Sequence, residues 1–244
     1  MPQVEKRVAR RVVVVLAIMT AVALGAVPAH AVSRGSSRLW SGLVSRGGGY
    51  TAVTADVRVP RVTALCGSRS NVVVYVGLGG YGSLPFVQNG ITLLPGNGIG
   101  VWSEVFDRYG HTRVTSMTLP VRSGDLVRLG ARFSSNKRSL LFTWSNLTLH
   151  KTVRQSVTNA ARYYNGATAD YVVERSWYPY RGSPLARYGS VGFSRAYASR
   201  YGHSVGAYNG SSRIITLRGT GGRALSSVVY ARGTKFTTAW KGCS

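Results

Sequence analysis

Residues 86–106 read FVQNGITLLPGNGIGVWSEVF, and this stretch decides the fold. Two runs rich in β-branched and aromatic residues, Phe86–Leu94 and Ile99–Phe106, flank Pro95-Gly96-Asn97-Gly98. Runs of this length and composition, separated by turn formers, read as strands rather than helices. Alternate residues of a strand share a face. Phe86, Gln88 and Gly90 therefore point one way, and Glu104 shares its face with Trp102 and Phe106.

The same pattern extends in both directions. Upstream it predicts strands over Ala52–Val59 and Val72–Leu78. Downstream it predicts Arg113–Leu119, Leu126–Phe133, Leu140–Leu149, Ala169–Arg175, Ser190–Tyr197, Arg213–Arg218 and Ser226–Ala231. Breakers such as Ser123-Gly124-Asp125 mark the turns between them. Only Val153–Tyr164 reads as helical, and residues 32–38 read as a short polar lead-in. With no internal repeat, many short strands at regular spacing predict one all-β domain over 32–244, an antiparallel sandwich or barrel.

The first 31 residues read differently. Lys6, Arg7, Arg10 and Arg11 precede an unbroken apolar run, Val12–Val27, and then Ala29-His30-Ala31. This is the layout of a secretory signal peptide, 1–31, with cleavage after Ala31. The apolar run is shorter than the roughly 20 residues that span a bilayer, although a retained anchor is the competing reading. No later segment is apolar enough to cross a membrane. The expected product is secreted, with no membrane association after cleavage, and a monomer.

The chain carries 31 Lys and Arg against 7 Asp and Glu, a formal +24. Without the leader, 27 basic and six acidic residues remain, a formal +21. Such a surface attracts anionic polymers, including those of a cell wall. No nucleic-acid module is recognisable, so no specific nucleic-acid partner is expected. Cys66 and Cys243 suit an oxidising compartment and a single disulfide. In the chain-entropy model a loop this long contributes up to about 5 kcal/mol. Two distant cysteines with only His111, His150 and His203 after the leader predict no metal site, and no cofactor motif is present.

Few polar residues interrupt the apolar runs. The domain has only two glutamates, Glu104 in VWSEVF and Glu174 in DYVVERSW, and both sit inside strand-like segments. A carboxyl facing apolar neighbours has a raised pKa, as general acids and bases do; facing solvent, it would instead pair with arginine. Gln88, between apolar residues, needs a hydrogen-bond partner when buried, and its amide can donate to an oxyanion.

These pieces fall in the order of a known family. From about Trp40 to Ala198 the chain resembles the glutamic peptidases, or eqolisins. LWSGL, ending at Leu43, is similar to the family's NWAGY opening, and VTADVRVP, ending at Pro60, to the strand that follows it. VVVYVGLGG resembles WVGIDG, FVQNG the Q-x-G segment, and VWSEVF the WYEW strand. SGDLVRLGARF and LLFTWSNLTL follow the G-D turn and the N-x-T strand. DYVVERSW resembles WIVER, and PLARYGSVGFSRA the strand beyond it.

The resemblance implies an all-β antiparallel β-sandwich, a concanavalin-like jelly roll of two packed sheets. It also implies a secreted acid endopeptidase acting on proteins or peptides, with Glu174 and Gln88 as catalytic dyad and an activated water. Trp102, Glu104 and Tyr75 become substrate-binding positions. Four positions depart from the family pattern: Tyr75 stands for the aromatic before Val-Gly, Gly79 replaces an acidic residue, and Ser103 and Val105 replace aromatics. These changes are expected to alter the cleft and its substrate preference. The large positive charge is expected to favour ionised Glu174, against any desolvation, and to extend activity further into acid. The competing reading is a non-catalytic sandwich that binds wall polymer or glycan through exposed aromatics.

Overall fold

The computed structural model describes residues 32–243 except 64, 68, 69, 95–97, 179 and 180. The expected signal peptide, residues 1–31, and most of the Pro95–Gly98 turn lie outside the described residues. The strands are β1 (Ser33–Ser37), β2 (Trp40–Arg46), β3 (Tyr50–Arg58), β4 (Val72–Gly79), β5 (Phe86–Leu94) and β6 (Gly98–Phe106). Next come β7 (Thr112–Met117), β8 (Leu126–Phe133), β9 (Ser139–Asn146), β10 (Lys151–Thr158), β11 (Thr168–Glu174), β12 (Trp177–Tyr178) and β13 (Arg181–Gly182). The last are β14 (Ser190–Arg200), β15 (His203–Gly206), β16 (Ser212–Arg218), β17 (Ala224–Arg232) and β18 (Lys235–Trp240).

The main sheet runs β10-β9-β8-β3-β14-β18-β17-β16-β2-β11-β4-β5-β6-β7, with β1 beside β16 and β15 beside β14. The two layers of the expected sandwich are thus joined by a continuous hydrogen-bonded path. β3 and β8 pack face to face against β4, β5 and β11. Period-two alternation supplies the core between them: Val53, Ala55, Val57, Leu129, Val74, Val76, Val87, Ile91, Tyr171 and Val173 are all buried. Polar bridges also cross the layers. Asn89 Nδ2 donates to the Thr143 carbonyl (3.0 Å), and the Ser103 hydroxyl donates to Gln155.

Two expectations are corrected. Of the segment Val153–Tyr164, read as helical, residues 153–158 belong to β10, antiparallel to β9, and only Ala160–Tyr163 turn as a short 3₁₀ helix. Val153, Gln155 and Val157 face inward while Thr152, Arg154 and Ser156 are exposed, which is a strand's period rather than a helix's. The polar lead-in is strand β1, paired in parallel with β16.

Cys66 and Cys243 form the expected disulfide, with Cα atoms 5.3 Å apart, fastening the loop after β3 to the end of the chain. Asn146, in an Asn-Leu-Thr sequon, is buried, and its amide donates to the Pro120 carbonyl (2.8 Å) and Asp125 (2.7 Å). That side chain serves the fold and is inaccessible to glycosylation. Among the described residues no helix is long and apolar enough to cross a membrane.

Candidate active site

A cavity of about 1010 Å³ opens on the face of β11, β4, β5 and β6 that points away from the core, with β7 as one wall. The alternation that sends Val87, Asn89 and Ile91 inward sends Phe86, Gln88 and Thr92 into this cleft. Likewise β6 contributes Trp102, Glu104 and Phe106, β4 contributes Tyr75, Gly77 and Gly79, and β11 contributes Asp170, Val172 and Glu174. All five residues assigned to the site from sequence, Gln88, Glu174, Trp102, Glu104 and Tyr75, line this one cleft.

Strand register explains their contacts. Asp170, Gly77, Gln88 and Glu104 form one row across four strands, and Val172, Tyr75, Gly90 and Trp102 form the next. Within the first row Gln88 Nε2 donates to Glu104 Oε2 at 2.7 Å, and the Thr112 hydroxyl donates to Glu104 Oε1, also at 2.7 Å. An ionised carboxylate only accepts, so Glu104 fixes which way the Gln88 amide lies. One amide N–H is committed to Glu104, and the second is left for the cleft. In the next row Tyr75 and Trp102 meet edge to face at 6.2 Å, and Trp102 Nε1 donates to Thr92 Oγ1 at 2.9 Å.

Burial pushes the Glu174 carboxyl up to about 7. The Tyr75 hydroxyl, donating to it, pulls the other way, and the negative charge of Glu104 adds to the rise. The phenol of Tyr75 is itself held well above its ordinary range, by burial and then by Glu174 and Asp170. This overturns the expectation that the chain's positive charge would favour ionised Glu174. Among the described residues no Lys or Arg lines the cleft, so no cation in its wall offsets the desolvation of Glu174.

The family departures also find physical accounts. Gly79 has φ +81°, and a Cβ there would lie 2.7 Å from Asn165 Oδ1 and from the Pro85 carbonyl, so an acidic side chain does not fit this backbone. Ser103 and Val105 are buried and point to the core, so their replacement changes the contact between layers and not the cleft surface.

Thr112 and Asp170 are among the cleft residues that the sequence reading did not assign to the site. Thr112 carried no signal. Asp170 stands in the quoted DYVVERSW segment, two and four positions from Val172 and Glu174, so alternation alone could have put it on their face. Burial holds its carboxyl well above the usual range.

The two-layered antiparallel β-sandwich is the fold of the glutamic peptidases. The chain belongs to the peptidase A4 family, whose model matches residues 38–240. Its fold is similar to scytalido-glutamic peptidase bound to a peptide-based transition state analogue, with a TM-score of 0.72, 19% identity, and 84% of this chain and 99% of that one covered. It is also similar to SCP-B, an eqolisin in complex with the tripeptide Ala-Ile-His (TM-score 0.69, 18% identity, 84% and 99% covered). Aspergilloglutamic peptidase from Aspergillus niger matches with a TM-score of 0.61 at 20% identity, over 70% of this chain and 99% of that one. Among curated proteins, none matches the chain in sequence.

Proposed function

We propose that the protein is an endopeptidase that hydrolyses peptide bonds with Glu174 as general base and Gln88 as oxyanion donor. Ionised Glu174 takes a proton from a water in the cleft, and the water oxygen attacks the scissile carbonyl carbon. The negative charge that develops on the carbonyl oxygen is met by the free N–H of the Gln88 amide. Glu174 then returns its proton to the leaving nitrogen as the C–N bond breaks. Glu104 and Thr112 act one step back, holding the amide so that nitrogen rather than oxygen faces the substrate. Trp40, Tyr81, Phe86 and Trp102 supply apolar walls for the peptide's side chains.

The observation that carries this reading is the convergence, in one cleft, of a carboxyl raised to about 7 and an amide locked by a second carboxylate. Since a general base must be ionised, activity rises as pH climbs toward about 7. Desolvation thus moves the working range toward neutral, away from the acid range that the resemblance implies. Export through the leader, and retention on anionic wall polymer by the basic surface, belong to the same proposal, and the disulfide agrees with an oxidising destination.

The test is digestion of an internally quenched apolar peptide across pH 3–8. Glu174→Gln should lower kcat/KM by about 10²–10⁴-fold while leaving the fold intact. Undiminished hydrolysis by that variant would remove Glu174 from the mechanism.

A further inference from the structure

The side of the molecule opposite the cleft carries a second cavity, of about 790 Å³. It opens on the outer face of β3, β14, β18 and β17, in the layer whose inner face meets β4, β5 and β11. Strand register shapes it as a trough along β14. Tyr230, Thr237 and Gly192 form one row across β17, β18 and β14, and Ser190 and Ser194 lie two positions to either side of Gly192 on the same face. The floor is built of small residues, and a Cβ at Gly192 would meet nothing within 4 Å. β3 and β18 flank β14, so the two banks stand about 10 Å apart.

The banks are cationic. Arg58 and Arg61 stand on one and Lys235 on the other, and all three are exposed. Arg58 Nη1 donates to the Gly124 carbonyl at 2.8 Å, which holds the guanidinium at the rim and uses one of its five donors. Among the described residues no carboxylate lines the trough. Asp125, in the turn beside Gly124, is buried and accepts from the Arg122 N–H and from Asn146 Nδ2. Asp56, in register with Ser194, already holds Arg128 and Arg195. Cations gathered without counter-charge repel one another, and a bound anion relieves that repulsion.

The lining also selects among anionic polymers. Unpaired bases are held by stacking on successive aromatic faces, and sugar rings lie on such faces too. Tyr230, 51% exposed, is the one exposed aromatic ring in this lining, since Phe193 and Phe236 are buried. A strand of phosphodiesters joined by short polyols needs no such platform. It needs cations on both sides and hydroxyl donors beneath, and Ser190, Ser194 and Thr237 supply the hydroxyls.

We infer that this trough binds a poly(polyol phosphate) strand lengthwise along β14, with Arg58, Arg61 and Lys235 on its phosphates. The inference deepens the wall-retention reading by naming its site and its polymer, and it rests on nothing in the cleft.

The test is titration of poly(glycerol phosphate) into the protein over a series of salt concentrations. Polygalacturonate and oligothymidylate serve as the carboxylate and nucleic-acid probes. Arg58→Gln/Arg61→Gln/Lys235→Gln should weaken poly(glycerol phosphate) binding by about 10–100-fold and lower the slope of log K against log salt by about 2, at roughly 0.7 per phosphate contact. Arg138→Gln/Lys151→Gln/Arg154→Gln removes the same charge from exposed positions outside the trough and should cost much less. Gly192→Glu, which plants a carboxylate on the open floor, should weaken binding with all three cations in place, and an unchanged Tm confirms that each variant is folded. Equal losses from the two triple variants, or a Gly192→Glu protein that binds like the wild type, overturn the trough while leaving retention by overall charge standing. Tighter trough-dependent binding of polygalacturonate or oligothymidylate overturns the assignment of the polymer. No binding of any probe by the wild type sinks retention and trough together and leaves the peptidase reading untouched.

Discussion

Two buried aspartates in this molecule meet opposite fates. Asp56, on the outer layer's β3, is fully buried and clamped by two arginines, with Arg128 Nε at 2.6 Å and an Arg195 guanidinium nitrogen at 2.5 Å. Asp170, on the cleft's β11, is nearly as buried and, among the described residues, is paired with no cation. In a chain with 31 basic residues, pairing a buried carboxylate is easy, and β8 and β14 do it from adjacent strands. Leaving one unpaired is therefore informative. The outer face uses charge to hold strands together; the cleft withholds counter-charge and keeps its carboxyls neutral or available.

The contrast can be broken first at Asp56. Asp56→Asn removes charge from both arginine contacts and should destabilise the fold by about 2 kcal/mol, the figure being discounted because both arginine side chains are over a third exposed. Thermal unfolding would register this as a Tm fall of roughly 4–8 °C. Asp170→Asn should do the reverse on a smaller scale. A carboxyl whose folded pKa is raised costs stability once pH exceeds its unfolded value, so the amide should raise Tm at pH 7 by on the order of a few degrees. That gain should vanish below the ordinary aspartate range, where the acid is neutral in both states. A Tm loss at Asp170 equal to that at Asp56 would erase the distinction.

Tyr75→Phe sharpens the comparison at the third carboxyl. The Tyr75 hydroxyl lowers the Glu174 pKa by donating to it, so its removal should shift the acid limb of the kcat/KM profile to higher pH. An unmoved limb would mean that another group sets it.

Period-two patterning made the strands and their faces legible. Phe86–Leu94 and Leu126–Phe133 fall where alternation and turn residues place them, and Gln88 and Glu104 point together for the same reason. β10 misled because its inward set, Val153, Gln155 and Val157, is thin and leads into the Ala160–Tyr163 turn. β18, Lys235–Trp240, escaped notice because Phe236 is the one bulky apolar residue in its buried alternation with Thr238. Within the site, the bond from Gln88 to Glu104 and the influence of Glu104 on Glu174 depend on the order β11-β4-β5-β6, which no local pattern encodes. Net charge was the poorest guide, because a count of arginines does not say that, among the described residues, none lines the cleft.

The pairing of Glu174 with Gln88 is tested most directly by a double-mutant cycle on peptide hydrolysis, using Glu174→Gln, Gln88→Ala and the two combined. Groups that act on one transition state are strongly non-additive, so each single variant should lose nearly as much kcat/KM as the double. Losses that simply add, or a Gln88→Ala enzyme as fast as the wild type, would contradict the account.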